Sequence, residues 1–143
     1  MAVEFKSQVG PSFGNNFNNR VEEAVGSAED IWRAFHEGRF ALQPPPFVGY
    51  FFLLEDCPKV HEPIAFSEPH FSVDPALRGV SYAKRYEVFL ERLRMEKKYS
   101  ATCLTLATNG LPPEVSFPSP ALNFQQFAKA ACDYIESYLD SST

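Results

Sequence analysis

Ala2-Val3-Glu4-Phe5-Lys6-Ser7-Gln8 reads as a short β-strand, and the organisation of the chain follows from it. Apolar Val3 and Phe5 alternate with polar Glu4, Lys6 and Gln8. Strand side chains alternate with period two, so Glu4, Lys6 and Gln8 leave the same face. A carboxylate and an ammonium two positions apart are thereby held side by side. Metal-assisted phosphodiester hydrolysis uses such a pair: the carboxylate holds a divalent cation, and the lysine stabilises charge or lowers the pKa of the attacking water. An ordinary surface ion pair gives the same E-x-K pattern, so the rest of the chain has to separate the two readings.

Next comes a Gly/Pro/Asn stretch, residues 9–17, predicted as a loop. Asn18 or Asn19 is placed to cap a helix, and Asn19 with Glu22 resembles a capping box. That helix is expected to run to about Glu37 and stop at Gly38, with Val21, Val25, Ala28, Ile31, Trp32 and Phe35 as its apolar stripe. After Pro44-Pro45-Pro46, the continuously apolar Phe47–Leu54 predicts a strand buried on both faces. Strand, helix, strand in this order implies a crossover between parallel strands. Residues 57–79 read as irregular, 81–98 as a helix, 101–107 as a strand, 109–120 as a loop and 122–139 as a final helix. The fold class is therefore α/β.

With 143 residues, 45% hydrophobic and 15% aromatic, the chain is long and apolar enough for one domain with a substantial core. No apolar run approaches the roughly 18 residues of a membrane span, and no signal peptide is legible at the N-terminus. Three widely spaced cysteines, Cys57, Cys103 and Cys132, suit a reducing cytoplasm rather than a disulfide framework. A formal charge of −5 argues against coating nucleic acid by bulk electrostatics, while leaving room for a local basic face. Residues 81–98 offer one: Lys84, Arg85, Arg92, Arg94, Lys97 and Lys98 outnumber Glu87, Glu91 and Glu96. A solvated helix face accounts for them as well.

Gly10 and Gly14 fit neither the phosphate-loop spacing nor the dinucleotide fingerprint, and no lysine follows them. Asn15, Asn16, Asn18, Asn19 and Arg20 are candidates for DNA phosphates or base edges, asparagine suiting adenine and arginine guanine. The competing reading is asparagines that satisfy their own turns and the helix cap. Asp56, Cys57, His61, Glu62, Glu68 and His70 superficially suggest a metal cluster, yet they lack paired ligand spacing.

The order of E-x-K strand, polar loop, amphipathic helix and buried parallel strand resembles the second half of the PD-(D/E)xK nuclease core. The string Glu4–Arg20 more specifically resembles the XhoI family of type II restriction endonucleases. So do Gly49–Asp56, Glu68-Pro69-His70-Phe71 and Ser81–Glu87, and the resemblance extends over nearly the whole chain. It implies a Mg²⁺-dependent homodimeric cytoplasmic enzyme that cuts both strands of double-stranded DNA at a palindromic site, expected to be CTCGAG. Glu4 would be a metal ligand, Lys6 would position or activate the water, and Gln8 would support the site.

One departure qualifies this. The family's nuclease core takes a further acidic residue from a strand preceding the E-x-K strand, and the sequence has no counterpart to it. The expectation is therefore that residues 1–143 are the C-terminal part of the catalytic domain, inactive or poorly folded alone. An alternative is a catalytically inactive DNA-binding or dimerisation remnant of the same fold.

Overall fold

The computed structural model describes residues 1–41 and 43–141. Strand β1, Ala2–Gln8, pairs in parallel with β2, Val48–Glu55, and β2 in parallel with β3, Ala101–Ala107. A two-residue strand, β4 (Val115–Ser116), adds antiparallel to the far side of β3, so the order is β1-β2-β3-β4. Helix α1, Phe13–His36, makes the first crossover. A short helix α2, Pro58–His61, and helix α3, Tyr82–Met95, lie in the second. Helix α4, Phe124–Asp140, follows the sheet. The α/β expectation holds, as a mixed sheet flanked by helices.

Both crossover helices pack on one sheet face. Tyr50, Phe52 and Leu54 of β2 point into that layer and are fully buried, with Phe13, Phe17, Ala24 and Ala28 of α1 and Tyr86, Leu90 and Leu93 of α3 in the same core. Phe52 stacks on Tyr86 at 4.2 Å between ring centroids. On the opposite face Phe51 of β2, with Phe47 just before the strand, meets Phe127 and Tyr134 of α4. Gly49 makes that approach possible, since a Cβ there would lie 2.9 Å from the Phe127 ring.

Three expectations need correction. First, α1 begins at Phe13, five residues before the expected cap, so Asn15, Asn16, Asn18 and Asn19 lie within a helix rather than in or beside a loop. Phe13 packs on Tyr82 and Phe17 edge-on to Tyr86. Burying two aromatic rings outweighs the few tenths of a kcal/mol that each asparagine costs in a helix. Ser12 takes the N-cap position without a side-chain bond, and the Asn19–Glu22 capping box does not exist. Second, β2 is not buried on both faces: Leu53 is 37% exposed, because α4 covers the start of the strand and not its end. Third, α3 ends at Met95, where Lys97 turns into the left-handed region at φ 58°. Gly38 ends α1 as expected, at φ 68°.

Candidate active site at the edge strand

Strand β1 stands at the end of the sheet order, which leaves its outer edge unpaired among the described residues. Its two faces differ from what hydrophobicity alone suggests. Phe5 is 69% exposed, whereas the polar set faces α1, and Gln8 is almost wholly buried. Register explains this: Glu4, Lys6 and Gln8 lie beside Tyr50, Phe52 and Leu54, the residues that build the core under α1 and α3.

On that face the Lys6 Nζ lies 3.2 Å from Glu4 Oε1 and 3.3 Å from Glu23 Oε2. Glu23 belongs to α1 and shares the same Oε2 with the Arg20 guanidinium one turn earlier. The other Glu4 oxygen, Oε2, is 3.1 Å from the Tyr99 hydroxyl, which also lies 2.9 Å from the Ala24 carbonyl oxygen. Two carboxylates and two cations thus alternate from β1 across to α1. Glu4 also borders an open cleft of about 270 Å³ that reaches Ser27, Ile31 and Tyr99.

The charges settle one another. The Glu4 carboxylate, and behind it Glu23, holds Lys6 above its ordinary pKa despite partial burial, so it is an ammonium at neutral pH. Arg20 first, then Lys6, holds the Glu23 carboxyl below its usual range. Burial, reinforced by Glu4, pushes the Tyr99 phenol up, and it remains a proton donor. Lys6 is therefore equipped to stabilise negative charge rather than to accept a proton.

Gln8 does not join this network. Its Nε2 donates to the Val9 carbonyl at 2.7 Å, and its Oε1 is buried without a hydrogen-bond partner. It sits at the carboxyl end of β1, lining a cleft of about 360 Å³ with Glu55 and Asn109. Asn15, Asn18 and Asn19 are exposed on α1 and Asn16 is half-buried. Asn16 and Asn19 stand one turn before Arg20 and Glu23, on the same side of the helix. Sequence reasoning missed Glu23 and Tyr99. Glu23 carries a legible signal, three residues after Arg20, while nothing local points to Tyr99.

A divalent cation needs several hard oxygen donors. Glu4 supplies one carboxylate, already engaged by Lys6 and Tyr99. Among the described residues, no group of three His, Cys, Asp or Glu side chains gathers to hold a metal. The residues present do not by themselves complete a metal site. The irregular segment makes none either: Asp56 pairs with His61 at 2.6 Å, and Glu68 with Arg78. The basic face of α3 is largely tied up, with Lys84 on Glu87, Arg92 on Asp74 and Arg94 on the Ala121 carbonyl.

An edge strand carrying an acid–lysine pair, backed by a helical crossover onto a parallel strand, is an architecture suited to phosphodiester chemistry. Comparison with known proteins identifies the family. The family model described as Restriction endonuclease XhoI matches residues 1–117, and the chain belongs to that family. The chain is 55% identical over 106 residues to Type II restriction enzyme BstVI of Geobacillus stearothermophilus, covering 74% of this chain and 47% of that protein. It is 54% identical over 92 residues to Type II restriction enzyme XhoI of Xanthomonas vasicola, covering 64% and 37%. With Type II restriction enzyme AbrI of Azospirillum brasilense it shares 60% identity over 78 residues, covering 54% and 35%. The chain thus spans half or less of the length of these relatives. No solved structure matches it. Helix α4 lies beyond the matched residues.

Proposed function

We propose that this chain belongs to a type II restriction endonuclease that hydrolyses phosphodiester bonds in double-stranded DNA at a palindromic site, CTCGAG. The observation that carries the reading is the Glu4–Lys6 contact of 3.2 Å within the family-matched region. Lys6 presents a fixed positive charge to a scissile phosphate and stabilises the extra negative charge of the transition state. Glu4 orients that ammonium, and Tyr99 in turn holds Glu4. Mg²⁺ is the proposed cofactor, and Glu4 is the carboxylate this chain would offer it. Donors beyond the described residues would be needed to hold the ion. Asn15, Asn16, Asn18, Asn19 and Arg20 are proposed DNA contacts from α1, and Gln8 a supporting residue at the strand end. A homodimer fits a palindromic site, since two-fold symmetry in the protein matches two-fold symmetry in the DNA. No described helix is long and apolar enough to cross a membrane; the proposed location is the cytoplasm.

A second reading, a DNA-binding or dimerisation piece without catalysis, is favoured by the lack, among the described residues, of any group of three His, Cys, Asp or Glu side chains that could hold a metal. One assay separates them. The 143-residue chain, a version extended to the full length of the relatives it matches, and the Lys6→Ala variant of each are incubated with DNA carrying CTCGAG, in Mg²⁺ or in EDTA. Site-specific cutting that needs Mg²⁺ and is lost in Lys6→Ala supports the endonuclease. Binding without cutting supports the second reading. Neither binding nor cutting overturns both.

A further inference from the structure

Lys6 and Arg20 converge on one oxygen atom. Glu23 Oε2 lies 3.3 Å from the Lys6 ammonium and is also hydrogen-bonded by Arg20 Nη1. A strand cation and a helix cation held to the same anionic oxygen have the arrangement that grips a non-bridging phosphate oxygen. We propose that Glu23 is a built-in stand-in for a phosphodiester: it occupies an anion site formed by Lys6 and Arg20, and DNA binding displaces it. The proposal rests on the nuclease reading above and adds to it the second cation and the internal competitor.

Several features support displacement. Glu23 is the most open member, 43% exposed in its side chain against 28% for Lys6 and 25% for Arg20. Rotating an exposed glutamate outward costs little, and it leaves Lys6 its contact with Glu4 on the strand. The Arg20 Nε is buried without a hydrogen-bond partner, and the guanidinium lies close enough to Tyr50 and Tyr86 to act electrostatically on both phenols. Glu23 also keeps the site neutral when DNA is absent, so two partly buried cations are never left uncompensated.

The test measures duplex DNA binding by the 143-residue chain, alone and within a version extended to the full length of its relatives, in EDTA, where cutting cannot interfere, over 50–200 mM salt as a typical range. Glu23→Gln keeps the shape and removes the charge. It should bind about five- to tenfold more tightly at low salt, with a salt slope steeper by roughly one phosphate equivalent. Glu22→Gln, an exposed neighbour on the same helix, removes equal charge and should change affinity less than about twofold. Arg20→Met combined with Glu23→Gln should abolish the gain. Thermal unfolding confirms that each variant is folded, and Glu23→Ala replaces Glu23→Gln if the latter is not. Equal effects of Glu23→Gln and Glu22→Gln, or a gain that survives Arg20→Met, would overturn the stand-in while leaving the nuclease reading in place. No DNA binding by any of the proteins would overturn both.

Discussion

The Tyr99 hydroxyl, on the turn before β3, reaches Glu4 on β1 at 3.1 Å, joining residues 95 positions apart. The same oxygen lies 2.9 Å from the Ala24 carbonyl of α1, so one phenol links edge strand, helix and turn. A hydroxyl has a single proton to give. That proton is shared between the carboxylate and the carbonyl, and whichever acceptor lacks it relies on its remaining neighbours.

Replacing Tyr99 with Phe leaves the ring and removes the link. The Ala24 carbonyl, inside α1, loses the second donor that supplements its helical bond, and Glu4 keeps only Lys6. The expected cost is about 1–2 kcal/mol. It is read as a lower urea midpoint at unchanged m-value. An unchanged midpoint would show that the phenol does not tie these elements together.

Gly49→Ala tests the seat of α4. A methyl at this position would meet Phe127 Cζ at 2.9 Å and Phe47 Cε1 at 3.0 Å. Ring displacement in a packed layer costs about 1–3 kcal/mol. Because α4 is the element that shifts, hydrogen exchange in Phe124–Asp140 should accelerate more than in α1. Uniform acceleration would contradict this.

Acid should weaken one specific tie. Arg92 first, then the Ala76 backbone N–H, holds the Asp74 carboxyl below its ordinary range. A depressed native pKa contributes stability that is complete above the unfolded value, near about 4, and disappears as pH falls through the native value. Wild type and Asp74→Asn should therefore differ at neutral pH and converge on acidification below about pH 4. A constant difference across that window would rule out the linkage.

Thiol labelling should sort the three cysteines, none of which is in a disulfide, with half-buried Cys57 reacting between the other two. Cys132 is exposed on α4, whereas Cys103 is fully buried in β3 with its thiol pKa pushed up by that burial. A disulfide reagent near pH 8 should modify Cys132 within minutes and Cys103 only on unfolding. Cys132→Ser should lose the fast phase. A fast phase that persists there at Cys103 would mean the β3–α4 layer opens readily.

Element types were legible wherever local pattern and packing agreed. Val48–Glu55 and Ala101–Ala107 are strands because mostly apolar runs suit a covered sheet, and 81–98 carries a helical stripe whose Tyr86, Phe89, Leu90 and Leu93 are all buried. Legibility failed where packing overrode local preference. Four asparagines and a nearby proline point to a loop, yet Phe13 and Phe17 have aromatic partners on α3, and burying those rings draws the helix back over them. Two-residue β4, inside the expected loop, exists only because β3 offers an unpaired edge.

By itself, the sequence determined that Glu4 and Lys6 share a face, since strand periodicity is local geometry, and through its motifs it pointed to the XhoI family. Tertiary structure alone decided what that face meets. Parallel register sets Glu4 beside Tyr50, the crossover lays α1 over both, and so Glu23, Arg20 and Tyr99 arrive at an acid–lysine pair from distant parts of the chain. Side-chain alternation is written in consecutive residues; which helix covers a strand depends on burying a whole layer at once, and no single stretch encodes it.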